Sequence, residues 1–359
     1  MNILILTASN DSFNSVRPEL EIFVSLAKAG HNVTIMTQEN TPYTERLKSH
    51  GIELFHTEYQ RKISLKTILL IRKIIREKSI SIVYATNSKA ISNAIFATLA
   101  LPVKLIVYRG TTGGLYRHDI SSYLNALNPR VDGIVCVSKS VENHVRKQLK
   151  RTKKRVVTIY KGHDTAWYNE TPANLEIFGT NPTNFNVAFV ANVREHKGLI
   201  YLLEAAHHLA DIPNLHILLI GNHIDQPHYL EVIEKSGMKE RIHLTGHRKD
   251  VPQIIASCDV LIHASTRKEG LPRVILESLA SGTPVIASAN ESSLEIIQDH
   301  VNGLIVPIKD ALSIAQKIRS LYESPTLLNE LKANVKKTID NEFSHTKTVS
   351  NYLQFFESL

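Results

Sequence analysis

The chain has 359 residues, 43% of them hydrophobic and 21% charged. That composition excludes a disordered protein, and the length exceeds one core, so two domains of ordinary size are expected. The two cysteines, Cys136 and Cys258, form no Cys-x-x-Cys pair, which removes a disulfide framework and a zinc site. A formal charge of +8 and a pI near 9.3 point toward anionic partners without choosing among them.

No run reaches the eighteen apolar residues of a membrane-spanning helix. Met1–Ala8 is apolar but lacks a basic leading segment, so it reads as a first buried strand, with the cytoplasm as the expected compartment. Strand patterns then follow at Ile3–Ala8, Asn32–Thr37, Ile52–His56, Ile80–Ala85, Lys104–Tyr108, Gly133–Ser138 and Val156–Tyr160. Between them run helical patterns such as Pro18–Ala29 and Ser64–Glu77. This alternation predicts βαβ units and a mainly parallel sheet covered on both faces. Ser64–Glu77 has apolar residues at 65, 68, 69, 71, 74 and 75, and carries Lys66, Arg72, Lys73 and Arg76. Its apolar stripe is expected to cover the sheet, and its basic face fits an anionic membrane surface. Further along, Arg109 with Gly110 and Gly113-Gly114 suits an anionic or oxygen-rich group, the alternative being a buried ion pair for Arg109. Lys161, at Tyr160–Asp164, can either shape the linker or reach a phosphate.

Periodicity lapses over Gly162–Thr183, where glycine, asparagine and proline accumulate. A second alternating series begins there, with strands at Asn186–Ala191, His216–Gly221, Arg241–Thr245, Val260–Ala264, Pro284–Ala287 and Leu304–Pro307. The expected architecture is α/β, two doubly wound Rossmann-like domains facing a cleft, spanning 1–165 and 166–343. Arg194 and Lys197 sit between a strand and Gly198, a pattern suited to a diphosphate beside a helix start. Gly221 and Gly246-His247 each close a strand with turn chemistry. Ser265 can bond a phosphate or a loop amide. Glu269 and Glu277 stand on either side of a helix start marked by Pro272, with Gly270 and Leu271 between. A carboxylate near a helix N-terminus is well placed for the hydroxyls of a ribose whose phosphates the helix attracts.

Lys268–Ser288 resembles the donor-site motif of retaining glycosyltransferases of family 4, which have the GT-B fold: a Glu, seven residues, a second Glu, then small-x-Gly-x-Pro-Val. The resemblance implies that Glu269 lies by the donor sugar and Glu277 grips the ribose. Gly270, Leu271, Pro272, Ser265, Gly221 and His247 would complete the donor site. Lys197 matches the family's phosphate lysine, and Arg194 its arginine in a shifted register. The first domain departs more from the pattern. The family's Gly-Gly loop is here Thr7–Ser15, whose Asn10 and Asp11 would line an acceptor pocket. Arg109 stands where relatives place a histidine, with Gly113 and His118 also on the acceptor side. The last helix, about 344–359, would pack back on the first domain, anchored by Tyr352, Phe355 and Phe356.

The function implied is transfer of a sugar, with retention, from a nucleoside-diphosphate sugar to a glycan or lipid-linked acceptor in cell-envelope polysaccharide or lipopolysaccharide synthesis. Glu269, Arg194, Lys197 and Arg109 are the catalytic candidates. No cofactor and no metal are expected, because the cations can stabilise a departing diphosphate and no Asp-x-Asp occurs. The enzyme would be cytoplasmic and peripheral on the inner face of the membrane. Competing readings are a glycoside hydrolase using the two glutamates, a sugar-nucleotide epimerase on the same scaffold, and a basic nucleic-acid-binding protein. The last lacks any helix-turn-helix, zinc or RNP-like signature, so no nucleic acid is expected.

Overall fold

Runs such as Ile3-Leu4-Ile5-Leu6 alternate no polar residue, so they can only be strands covered on both sides. The computed structural model of the protein describes residues 1–8, 13–39, 43–149, 154–169, 171–267 and 269–359. It divides into two units: Met1–Lys161 with His345–Leu359, and Gly162–Ser344. The division falls at Lys161, earlier than the expected 165, because the start of the second unit is tied to its end. The His163 amide donates to the Phe343 carbonyl (2.8 Å), and a side chain at Gly162 would strike the Ser344 carbonyl.

In the first unit β1 (Asn2–Leu6), β2 (Asn32–Thr37), β3 (Glu53–His56), β4 (Ile82–Ala85), β5 (Lys104–Arg109), β6 (Gly133–Cys136) and β7 (Arg155–Thr158) form one parallel sheet. Their order is β3-β2-β1-β4-β5-β6-β7, with Ile5 in register with Ile35 on one side and Tyr84 on the other. Helices α1 (Phe13–Lys28), α2 (Thr44–Ser49), α3 (Leu65–Glu77), α4 (Ser88–Ala97) and α5 (Lys139–Gln148) supply the crossovers. Ser64, Asn87 and Ser138 cap α3, α4 and α5 by accepting the amides of Thr67, Ala90 and Val141.

Two helices differ from their sequence patterns. Helix α1 includes Pro18 in its interior and begins by Phe13, a turn earlier than the proline implies. Its first turn is held from outside by Tyr43, on which Phe13 stacks at 4.7 Å, and within the helix Arg17 lies over the Phe13 ring. In α3 the apolar stripe splits. Ile71, Ile74 and Ile75 are buried, whereas Leu65 and Leu69 remain 71% and 57% exposed.

The C-terminal helix, His345–Glu357, belongs to the first unit and packs on α1. Tyr352, Phe355 and Phe356 are buried there, and the Tyr352 hydroxyl lies 2.9 Å from that of Tyr84. Gly133 leaves room for the Phe355 ring, which a Cβ would approach to 2.9 Å.

In the second unit β8 (Phe185–Val190), β9 (Leu215–Ile220), β10 (Ile242–Gly246), β11 (Val260–His263), β12 (Val285–Ser288) and β13 (Gly303–Val306) form a parallel sheet ordered β10-β9-β8-β11-β12-β13. Around it pack α6 (Leu199–His207), α7 (Pro227–Lys235), α8 (Val251–Ala256), α9 (Arg273–Ser281), α10 (Glu291–Leu294), α11 (Ala311–Glu323) and α12 (Pro325–Glu342). Strand order reverses between β8 and β11, so the segments after these two parallel strands diverge and leave a crevice at their carboxyl ends. Asn302 is structural: fully buried, it accepts the Gln298 amide and donates to the Ile296 carbonyl, both at 2.9 Å.

The docking of the last helix is testable. Tyr352→Ala removes a buried ring and its hydroxyl partner, and is expected to lower stability by about 3–5 kcal/mol in urea unfolding. A loss below about 1 kcal/mol would show that this helix is not part of the first core.

Candidate active site

The site is built where two strand ends of the second unit can touch without side chains intervening. Gly221 closes β9 at φ 135°, and a Cβ there would lie 1.9 Å from the Ala191 carbonyl. Gly198 closes the loop after β8 at φ 72°, and a Cβ would lie 2.1 Å from the Ala264 carbonyl. Only glycine satisfies both the left-handed backbone and the contact. The 191–198 loop is thereby pressed between the ends of β9 and β11. The Val193 amide donates to Asn222 (2.9 Å) and the Thr266 amide to His196 (2.8 Å).

That closeness assembles a charged cluster. The Lys197 Nζ lies 2.7 Å from Glu269 Oε1, and the Ser265 hydroxyl donates to the same oxygen at 2.7 Å. Asn290 holds the Ser265 carbonyl (2.9 Å), and Ser292 holds that of Glu269 (3.0 Å). His263 is buried, with Nε2 4.0 Å from Glu269 Oε1 and Nδ1 3.3 Å from the Ser293 hydroxyl. Burial acts to raise the Glu269 carboxyl, but Lys197, His263 and the Ser265 hydroxyl outweigh it and hold the group below its ordinary value. Burial, opposed by Glu269 and aided by Lys197, pushes His263 down to about 4, so its ring is neutral at pH 7.

Glu277 stands in the fifth position of α9, buried, 3.0 Å from Arg273 Nε. Burial raises its carboxyl, and Arg273 only partly opposes this. Among the described residues no side chain caps α9, whose N-cap is Pro272 and whose approach is the buried Gly270 and half-buried Leu271. Pro272 therefore stands just ahead of the first turn that the sequence pattern assigned it. The dipole at this helix start favours an anion. Arg194 is exposed, immediately before the 195–197 turn, and His247 is exposed after Gly246, whose carbonyl accepts the Gly221 amide at 2.8 Å. All these residues follow the carboxyl ends of β8, β9, β10 and β11.

In the first unit the candidates are placed differently. Arg109 makes no ion pair with a carboxylate among the described contacts. Its guanidinium donates to the Thr111 carbonyl (2.9 Å) and to that of Gly113, folding the glycine loop around itself. His118 is exposed and stacks on Tyr116 at 5.5 Å. Asn10 and Asp11 lie outside the described residues. Lys161 does not stand free for a phosphate: it pairs with Glu19 of α1, which also accepts from Thr7 (2.9 Å), and it lies 4.2 Å over the Tyr108 ring. Thr86 completes this cluster by donating to Thr7 at 2.8 Å.

Sequence reasoning missed His263 and Glu19. The available signal for His263 was a titratable residue closing an apolar strand, two positions before a serine. Glu19 carried no signal, since an acid near a helix start is ordinary.

Residues 170–338 match the family model described as "Glycosyl transferases group 1", and residues 20–167 match "Glycosyltransferase Family 4". Both halves of the chain are glycosyltransferase-like. The chain is 30% identical over 164 residues to a lipopolysaccharide core biosynthesis glycosyltransferase, LpsE, of Rhizobium meliloti, covering 46% of this chain and 47% of that one. It therefore spans about half the length of the curated relatives it matches at this level of identity. At 22% identity it aligns with 93% of its length to 90% of the Escherichia coli UDP-Gal:alpha-D-GlcNAc-diphosphoundecaprenol alpha-1,3-galactosyltransferase. The fold matches Anabaena Alr3699/HepE in complex with UDP, with a TM-score of 0.82, 20% identity and full coverage of both chains. Two parallel-sheet Rossmann-like units of this kind are the GT-B architecture.

The depressed His263 has a measurable consequence. The unfolded chain binds a proton at this residue near pH 6.5 and the folded chain only near 4. Its contribution to stability is therefore complete above pH 6.5 and is lost as pH falls toward 4. The loss should be on the order of 3 kcal/mol. Unfolding midpoints followed from pH 7 to 4 should fall less steeply in His263→Gln than in the wild type. Equal slopes would mean that His263 titrates normally.

Proposed function

We propose that this protein is a glycosyltransferase that uses a nucleoside-diphosphate sugar and retains the anomeric configuration. The observation that carries the reading is the Lys197–Glu269–Ser265 cluster beside the uncapped start of α9, with Glu277 buried one turn inside it. An ammonium held at this rim neutralises the charge that gathers on a departing diphosphate, aided by Arg194 and the α9 amides. Glu277, buried and raised, accepts hydroxyl hydrogen bonds from the ribose, which replace the water lost on burial. Glu269 then faces the donor sugar hydroxyls, and neutral His263 behind it adds no competing charge. Gly221 and His247 border the base, while Gly270, Leu271 and Pro272 bring backbone to the phosphates.

The cations supply the charge that a divalent metal would otherwise carry, so turnover is expected without one. Retention rests on the family pattern and on Glu269 being engaged with Lys197 and Ser265. The first unit is read as the acceptor-recognising half. There Arg109 shapes the 110–114 loop, and Gly113 and His118 are its exposed edge. The Escherichia coli relative acts on a diphosphoundecaprenol-linked sugar, which favours a lipid-linked acceptor in envelope polysaccharide or lipopolysaccharide synthesis, met at the cytoplasmic face of the membrane. UDP is the first nucleotide to try, because the Anabaena neighbour is seen with it.

Calorimetric titration of UDP, GDP and ADP into the wild type and Glu277→Ala tests the reading. One nucleotide should bind, and the substitution should weaken it tenfold or more, since a hydrogen bond to a charged group is worth about 1.5–3 kcal/mol. Turnover should persist in EDTA. Binding unchanged in Glu277→Ala would remove that residue from the donor site.

A further inference from the structure

The split of α3 leaves apolar side chains in water that the fold does not use. Ile71, Ile74 and Ile75 face the core, while Leu65 and Leu69 point outward, and Ile63 just ahead of the helix is 49% exposed. A second segment brings another. Ile120, 84% exposed, lies in the stretch that follows β5. Helix α4 ties the two segments together through adjacent residues. Asn93 donates to the Arg61 and Lys62 carbonyls (3.1 and 3.2 Å) and accepts the Ser64 amide (2.9 Å), and Ser92 donates to the Leu124 carbonyl (2.7 Å). The charge of Lys62 also acts on Asp119, the residue before Ile120.

Scattered surface leucines need no explanation, but four large aliphatic residues on two tied segments do. They are flanked by exposed Arg61, Lys62, Lys66 and Lys73. Against these stand Asp119, Glu58 and Glu77, the last 3.8 Å from Lys73. Aliphatic side chains among a surplus of cations match a surface of apolar tails beneath anionic phosphates, where each cation gains by proximity and each aliphatic group by leaving water.

We propose that Ile63, Leu65, Leu69 and Ile120 enter the headgroup layer of an anionic bilayer, with Arg61, Lys62, Lys66 and Lys73 against its phosphates. This deepens the proposed function and rests on its lipid-linked acceptor. Residues 57–65 and 110–124 follow the carboxyl ends of β3 and β5, the rim at which parallel sheets receive ligands. A cavity of about 860 Å³ opens on that rim, lined by Gln38, His56, Arg61, Ser64 and Leu65 among others. A lipid-borne polar group would meet it without leaving the membrane.

Co-sedimentation of the full chain with phosphatidylcholine vesicles, and with an equimolar phosphatidylcholine–phosphatidylglycerol mixture, tests the surface. The wild type should pellet with the mixture alone. The double variants Leu65→Ser/Leu69→Ser and Lys62→Glu/Lys66→Glu should each lose at least tenfold in partitioning, with unchanged circular dichroism and nucleotide binding. Equal binding to both vesicle types would overturn the proposal, as would wild-type partitioning of the leucine variant, which would mean adsorption by charge alone. A concentration-dependent dimer abolished by the leucine variant would assign the surface to a second copy instead. Failure of the wild type to bind any nucleotide would count against the donor site, and the vesicle result would stand apart from it.

Discussion

One carboxylate oxygen, Glu269 Oε1, takes both the Lys197 ammonium and the Ser265 hydroxyl, and the second unit is arranged so that this meeting occurs. Lys197 comes from the loop after β8, while Glu269 and Ser265 come from the loop after β11. They reach each other only because Gly198 lies against Ala264, and Gly221 against Ala191, at distances no other residue permits. The pair is partly exposed, with side-chain exposures of 29% and 12%, so it is screened on one side and open to exchange partners. A lysine held by a partly exposed carboxylate is a charge kept in place without being consumed. A diphosphate presents more negative charge than Glu269 and can compete for it.

The first unit has a corresponding constraint with a different outcome. Glu19, Lys161, Thr7, Thr86 and Tyr108 gather at the ends of β1, β4, β5 and β7, around that unit's own reversal of strand order between β1 and β4. Burial pushes the Glu19 carboxyl up and the Lys161 ammonium down, yet their mutual attraction reverses both, so the two remain charged. Lys161 is the last residue before the chain leaves this unit. The pair therefore fixes where the linker departs, and a lysine that sequence alone might give to a ligand is used to hold the fold.

Inner strands such as β1, β4 and β6 were legible because they are buried on both faces and carry apolar runs, whereas the edge strands β3, β7 and β10 are only partly buried. All thirteen patterns correspond to strands among the described residues, with ends shifted by a residue or two. The helix start that sets the positions of Glu269 and Glu277 was legible because Pro272 stands before it. What was not legible depends on partners distant in the chain. The outward turn of Leu65 and Leu69 follows from where α4 packs, and the early start of α1 goes with the stacking of Phe13 on Tyr43. His263 owes its neutral state first to burial beneath segments distant in the chain, with Lys197 adding to it. Arg109, likewise, was readable as a cation near glycines, but not as one that donates to the Thr111 and Gly113 carbonyls of its own loop.

In the proposed function Lys197 is the anion-holding group of a nucleotide site, for which Glu269 competes. Calorimetric titration of UDP into wild type, Glu269→Gln and Lys197→Met measures this directly. Glu269→Gln should bind UDP severalfold more tightly than the wild type and Lys197→Met at least tenfold more weakly. UDP binding by Lys197→Met at wild-type affinity would contradict it.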